Sequence, residues 1–340
     1  MDVVLAMLEF SDEYFNNEVR CGFHITGMMK RLWASQMEIL AWINEICDKY
    51  GIRYIMSYGS LLGTVRHKGF IPWDDDIDIA MLRGDYERFA EAVAKELPPY
   101  FNTKSLLPGA LPPKEMIFNI NNGNKLDTSP EFLKRFHGCP YSTGVDVFIF
   151  DRVSDNPEEA AYQDRLIRLL DRMLMLQWEV DDGTINSKKH DEYCAIRETM
   201  ARELDYVFGD QEPMTIQILR LLDLACGICE DCGSSRVENR EQVIYYGEKG
   251  YLEEYFTNRL FVPFENTLTV PIPQKYDEAL RKIFGQYEIP NKFTSQHLYP
   301  IYTNQRSALY REYNKRGWDI PKEFLEYDEN GNLMIDPRTC

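Results

Sequence analysis

A chain of 340 residues, 44% of them hydrophobic, is long enough to bury a full core and to carry a catalytic domain with elaborations. Its formal charge of −17 argues against nucleic acid as a partner, because backbone recognition relies on clustered Lys and Arg. No stretch approaches the roughly twenty consecutive apolar residues of a membrane span, and the opening MDVVLAMLEFSDEYF carries acids without a basic leader, so no signal peptide and a cytoplasmic location are expected.

The periodicity of residues 27 to 50 predicts an amphipathic helix. RYIMSY, Arg53 to Tyr58, reads as a short strand, Gly59-Ser60 as a tight turn, and Leu61 onward as a helix whose first amides Ser60 can cap. A helix N-terminus reached through glycine is a ready anion site, which makes Gly59 and Ser60 candidate phosphate-binding residues. Arg66, His67 and Lys68 leave that helix just before Gly69 and add cationic or hydrogen-bonding groups close to an acidic run.

That run, WDDDIDIAM, is the centre of the sequence. Asp76 and Asp78 alternate with Ile77, Ile79 and Met81, so in a strand the two carboxylates share one face and the apolar side chains the other. Two ionised carboxylates on one side of a buried strand repel unless a cation lies between them. Oxygen ligands of this kind suit Mg2+ or Mn2+. Asp74 and Asp75, at the mouth of the strand, are expected only to add to the local field.

A helix is predicted over 84 to 96, a Pro-rich loop or flap around 98 to 113, and a strand over Gly144 to Phe150, with Asp151 starting the next turn. Residues 157 to 180, 188 to 208 and 213 to 230 read as three helices broken by DDGTINS and GDQEP. Cys226, Cys229 and Cys232 fall on successive turns of one helical face; thiols packed in a reducing interior are favoured over a zinc or iron-sulfur site, since no fourth ligand is selected. Beyond 240, aromatic-rich strands lead to the helix QKYDEALRKIFG, which Gly285 ends.

The block GSLLGTVRHKGFIPWDDDIDIAM followed by RGDYERF resembles the LicD family of phosphocholine transferases, related to the fukutin-type proteins, within the nucleotidyltransferase superfamily of the DNA polymerase beta type. The resemblance extends more loosely to Met29 through Trp33 upstream and, downstream, to Phe264 through Pro290 and then His297. It implies an α+β fold, a nucleotidyltransferase-type mixed β-sheet core flanked by helices, with an added helical subdomain. The expected divisions are a catalytic core over 1–152, a helical subdomain over 153–240 and a C-terminal segment completing the cleft over 241–340.

The resemblance also implies a third acid from a later strand. Asp146 interrupts an otherwise buried run and fits that place, either completing the metal site or taking a proton from an attacking hydroxyl; Asp127 competes less well. By the same resemblance the donor is CDP-choline or a related CDP-alcohol. The acceptor is a sugar hydroxyl of a teichoic-acid or lipopolysaccharide precursor, met without a transmembrane segment by peripheral contact at most, and CMP is released. Arg66, His67, Lys68 and His297 are expected to contact phosphate or acceptor. A choline cage would need aromatic walls, for which Trp73, Tyr299 and Tyr302 are candidates. Transfer of phosphoribitol or phosphoglycerol, nucleotidyl transfer from an NTP, and a non-catalytic nucleotide-binding scaffold are the alternatives.

Overall fold

The computed structural model describes residues 6–113, 116–291 and 299–339, and His297 lies outside them. The chain opens with a hairpin, β1 (Glu18–Arg20) and β2 (Phe23–Ile25), and then forms α1 (Gly27–Tyr50), β3 (Ile55–Met56), α2 (Tyr58–His67), β4 (Asp78–Leu82), α3 (Arg83–Glu96), β5 (Asn102–Lys104), β6 (Phe118–Asn121), α4 (Pro130–Arg135) and β7 (Gly144–Arg152). Helices α5 (Pro157–Asp181), α6 (Ser187–Glu203) and α7 (Met214–Gly227) follow. Then come β8 (Arg236–Glu238), α8 (Arg240–Tyr246), β9 (Tyr251–Leu252), α9 (Glu254–Thr257), the hairpin β10 (Arg259–Phe264) and β11 (Leu268–Pro273), α10 (Tyr276–Phe284) and α11 (Thr303–Arg316). This is a mixed α+β fold.

The central sheet runs β3-β4-β7-β6-β5, with β8 pairing the far end of β7 and β9 pairing β8. Only β4 and β7 are parallel; β3, β6, β5, β8 and β9 join antiparallel. One face of the sheet is apolar where β4, β7 and β6 lie side by side. Ile79 and Met81 on β4, Val145 and Val147 on β7, and Phe118 and Ile120 on β6 are buried there. The period of two puts the polar residues Asp78, Asp146, Asn119 and Asn121 on the opposite face.

Helix α1 is capped by the Thr26 hydroxyl, which accepts the Met29 amide at 3.1 Å, and ends at Gly51 with φ 62°. The sequence predicts an amphipathic helix, but its buried residues occupy almost every face, Lys30 and Glu38 included. Those charges are neutralised in place, Lys30 by Glu18 at 2.7 Å and Glu38 by Arg135 at 2.8 Å. A helix covered on all sides carries polar residues only where partners reach it.

Two apolar clusters make the interior. The larger contains α1, the sheet, the β10–β11 hairpin and α11. The smaller is formed by α5, α6 and α7. Between them lies a buried ion pair: Arg83 Nε donates to Asp151 at 2.6 Å and its other arm to Asp223 of α7 at 2.6 Å.

Three local expectations change. Residues 102–104, read as loop, form the edge strand β5. Asp151 is inside β7 rather than in a turn, since Arg83 offsets the cost of burying it. Helix α7 stops at Gly227, so only Cys226 of the three cysteines is in it, while Cys232 ends a short 3-10 turn (Glu230–Cys232); Cys226 and Cys229 are buried and Cys232 is exposed. No helix is long and apolar enough to cross a membrane among the described residues.

Replacing Asp151 with Ala would leave the Arg83 guanidinium buried beside only Asp223. A loss of about 3–5 kcal/mol of unfolding free energy is expected, read as a lowered urea midpoint with unchanged slope; a change under about 0.5 kcal/mol would contradict the role given to this pair.

Candidate active site

Asp78 and Asp146 are register partners on the parallel pair β4–β7. Their side chains therefore leave the same face of adjacent strands, which run about 4.8 Å apart. Asp76 lies just before β4 rather than in it. The carboxylates of Asp74, Asp75 and Asp76 each offer an oxygen within 4.8 Å of the others, and this is the one grouping of three potential metal ligands found among the described residues. Asp74 and Asp75 thus belong to the acidic cluster itself.

Crowding shows in the electrostatics. Burial first, then the Asp76, Asp146 and Asp74 carboxylates, push the Asp78 carboxyl well above its ordinary range. An acid this hard to ionise becomes an anion when a cation arrives. A set made only of carboxylate oxygens suits a hard divalent ion, so the residues fit the expected metal.

The cluster is held from several directions. The Ser60 hydroxyl accepts the Asp78 amide at 2.8 Å, so it ties the helix start to the strand instead of capping α2. That helix begins at Tyr58, three residues before the expected start, and Tyr58 itself sits at φ 42°, a strained region for a non-glycine residue. A Cβ on Gly59 would lie 2.7 Å from the Asp74 carboxylate, so only glycine lets that acid approach the helix N-terminus. Trp33 Nε1 donates to the Asp74 carbonyl at 3.0 Å and Gln36 to the Asp75 carbonyl at 2.8 Å. From the far end of the chain, the Ile301 amide donates to the Asp75 carboxylate at 2.6 Å.

Asp146 has its own support. Asn119 Nδ2 donates to Asp146 Oδ1 at 2.7 Å, and Asn121 Nδ2 donates to Asn119 Oδ1 at 2.9 Å. A Cβ on Gly144 would meet the Asn119 amide at 2.5 Å. Gly144 thus keeps open the lane through which Asn119 reaches the acid. Sequence reasoning missed Asn119, although the alternation Phe-Asn-Ile-Asn marks Asn119 and Asn121 as one polar face. It also missed Ser57, whose buried hydroxyl has no partner among the described residues.

The basic cluster is deployed differently from the acids. Arg66 donates to His67 at 2.9 Å and to the Tyr287 carbonyl at 2.7 Å. Burial, Arg66 and Arg20 lower His67 to about 4, so it is neutral at physiological pH. Lys68 is exposed at the left-handed end of α2, and its carbonyl accepts the Glu265 amide at 2.8 Å. Glu265, at the tip of the β10–β11 hairpin, takes both arms of Arg20 and the Phe70 amide. These contacts fasten the Phe264–Pro290 segment to the end of α2. Asp127 accepts the Ser129 amide at 2.7 Å in the turn before α4. Of the aromatics considered for a cage, Trp73 and Tyr299 lie edge-on to Phe23, and Tyr302 stacks on Tyr141 at 4.5 Å.

With this geometry in view, residues 51–121 match the family model described as LicD/FKTN/FKRP, nucleotidyltransferase domain. The chain is 25% identical over 267 residues to the lipopolysaccharide cholinephosphotransferase LicD of Haemophilus influenzae, covering 74% of this chain and 88% of that protein. Shorter matches link it to uncharacterized proteins of Rickettsia typhi, 44% identical over 48 residues (14% of this chain, 16% of that one), and Rickettsia prowazekii, 48% over 42 residues (12% and 16%).

Two measurements follow from the geometry. Because the folded chain holds the Asp78 proton to a higher pH than the unfolded one, whose carboxyl ionises near 3.8, this group's stabilisation is complete below that value and is lost as pH rises through the raised folded one. Asp78→Asn should therefore raise the melting temperature in EDTA at neutral pH and remove the response to magnesium; a lower melting temperature would contradict the crowding. Asn119→Ala should keep the fold yet weaken Mn2+ binding, followed by electron paramagnetic resonance, by about 10–100-fold; unchanged affinity would show that Asn119 does not orient Asp146.

Proposed function

Because residues 51–121 belong to the LicD/FKTN/FKRP nucleotidyltransferase family, we infer that the carboxylate row catalyses metal-dependent transfer of phosphocholine from CDP-choline to a sugar hydroxyl of a cell-surface glycan precursor. The observation that carries this reading is the Ser60–Asp78 bond, which joins a helix N-terminus reached through Gly59 to the acids on β4 and β7. One end of the site suits phosphate and the other a hard cation. The choline donor and the lipopolysaccharide or teichoic-acid acceptor are suggested by the name of the Haemophilus influenzae relative and by the resemblance of the block from Gly59 to Met81.

Asp76 and Asp78, with Asp74 and Asp146 beside them, would hold Mg2+ or Mn2+. When bound, the cation supplies charge neutralisation to the diphosphate and stabilises the departing CMP. The first amides of α2, from Tyr58 to Ser60, lack intrahelical carbonyl partners and suit phosphate oxygens. Lys68 is the exposed member of the basic cluster, and Arg66, His67 and His297 are kept as phosphate or acceptor contacts of the same proposal.

In the reaction an acceptor hydroxyl oxygen bonds to the phosphorus that carries the alcohol, and the bond from that phosphorus to the bridging oxygen of CMP breaks. Asp146 is the carboxylate suited to receive the hydroxyl proton, with Asn119 holding its Oδ1 in place. An NTP-dependent nucleotidyltransferase would use the same acids, and other CDP-alcohols would use the same phosphate contacts.

A thermal-shift panel of CDP-choline, CDP-ribitol, CDP-glycerol and CTP, each with and without magnesium, separates these readings. CDP-choline with magnesium is expected to raise the melting temperature most, and Asp78→Ala to abolish that rise. A larger response to CTP would sink the phosphocholine assignment.

A further inference from the structure

The last turns of α1, the approach to β3 and the β10–β11 hairpin border a cavity of about 280 Å³. Its apolar walls are Ile52, Tyr54, Phe261 and Pro271. Tyr54 stands three residues, about 10 Å of strand, before Ser57, whose amide donates to the Asp78 carbonyl at 3.0 Å. The cavity is therefore separate from the carboxylate row.

Most polar groups on these walls are used within the fold. Asn44 accepts the Tyr54 hydroxyl and donates to the Thr269 carbonyl at 3.2 Å. Arg259 differs. Its Nη1 donates to the Tyr54 carbonyl at 3.2 Å, and its guanidinium lies over the Phe261 ring, 5.4 Å from the centroid, yet among the described residues it has no carboxylate partner. Asp85, the buried acid whose charge it feels, is already taken by Arg53 at 3.0 Å and by Arg88. Asp48 borders the cavity too, but it is exposed and forms no ion pair with Arg259.

Burial and then the Arg53 charge make the Arg259 cation costly to keep. A guanidinium does not lose its proton in a protein, so an anion is what completes it. The Nε–Nη2 edge of Arg259 makes no hydrogen bond among the described residues, and two N–H groups on such an edge match the two oxygens of a carboxylate. Asp48 at the rim and the chain's charge of −17 disfavour a dianion. An apolar cavity of about 150 Å³ admits benzene, so the space here admits a ring with an acidic arm.

We propose that this cavity binds a small monocarboxylic acid with an aromatic or branched apolar body, its carboxylate paired with the Nε–Nη2 edge of Arg259 and its body packed on Phe261 and Ile52. The site is independent of the phosphoryl-transfer reading.

Ligand-observed NMR titration of the full chain tests it, with phenylacetate as the acid and phenylacetamide as its neutral counterpart. Phenylacetate is expected to bind at least about tenfold more tightly than the amide. Arg259→Gln should weaken it about tenfold, and so should Arg259→Lys, which keeps the charge without the fork. Phe261 is 60% exposed, so Phe261→Ala spares the core; it should weaken the acid about fivefold. Magnesium should leave the affinity unchanged. No binding, equal affinity for acid and amide, or unchanged affinity in both Arg259→Gln and Phe261→Ala would overturn the proposal. So would binding that requires magnesium, since that would put the acid at the carboxylate row.

Discussion

Carboxylates crowd around Asp78, and the frame of the site has to absorb their repulsion. Burial and three neighbouring acids oppose its ionisation, and nothing in the local sequence alone would keep four such groups together. The parallel register of β4 and β7 forces Asp78 and Asp146 onto one face. Hydrogen bonds from Ser60 to the strand, from Trp33 and Gln36 to the acidic turn, and from Asn119 to Asp146 then restrict each acid in turn. A site that binds a divalent ion must hold its ligands close before the ion arrives, and a stable frame absorbs the repulsion that this creates.

Glycine contributes to that frame by absence. Gly59 admits the Asp74 carboxylate and Gly144 admits the Asn119 amide, at distances where a methyl group would overlap both. Each glycine lies within two residues of a site acid or phosphate-binding residue, and each is needed for close approach and not for turning.

The strand from Asp78 to Leu82 was legible because Ile77, Ile79 and Met81 recur at every second position as a buried apolar set, although Asp76, read as part of that strand, lies just before it. Asp146 was singled out by the resemblance, which asks for an acid from a later strand, and the structure makes it the register partner of Asp78. What could not be read were long-range compensations. Asp151 looked like a turn residue because its partner Arg83 lies 68 positions away. Helix α1 looked amphipathic because the partners of Lys30 and Glu38, Glu18 and Arg135, belong to other elements. The three cysteines looked coaxial because the helix end at Gly227 carries no strong stop signal of its own. Asn119 was overlooked since a polar residue in a short strand has no meaning until the acid beside it is known.

The bond from the Ile301 amide to the buried carboxylate of Asp75 has a consequence for synthesis. All the acids of the cluster have been made once residue 146 is in place, yet the strut that restrains Asp75 is supplied 226 positions after it. A ribosome partway along this message therefore carries every proposed ligand without the architecture that presents them. Long-separated contacts of this kind form late, so competence at the site is acquired only after residue 301 has been made, and fragments ending before it would carry the motif without the finished centre.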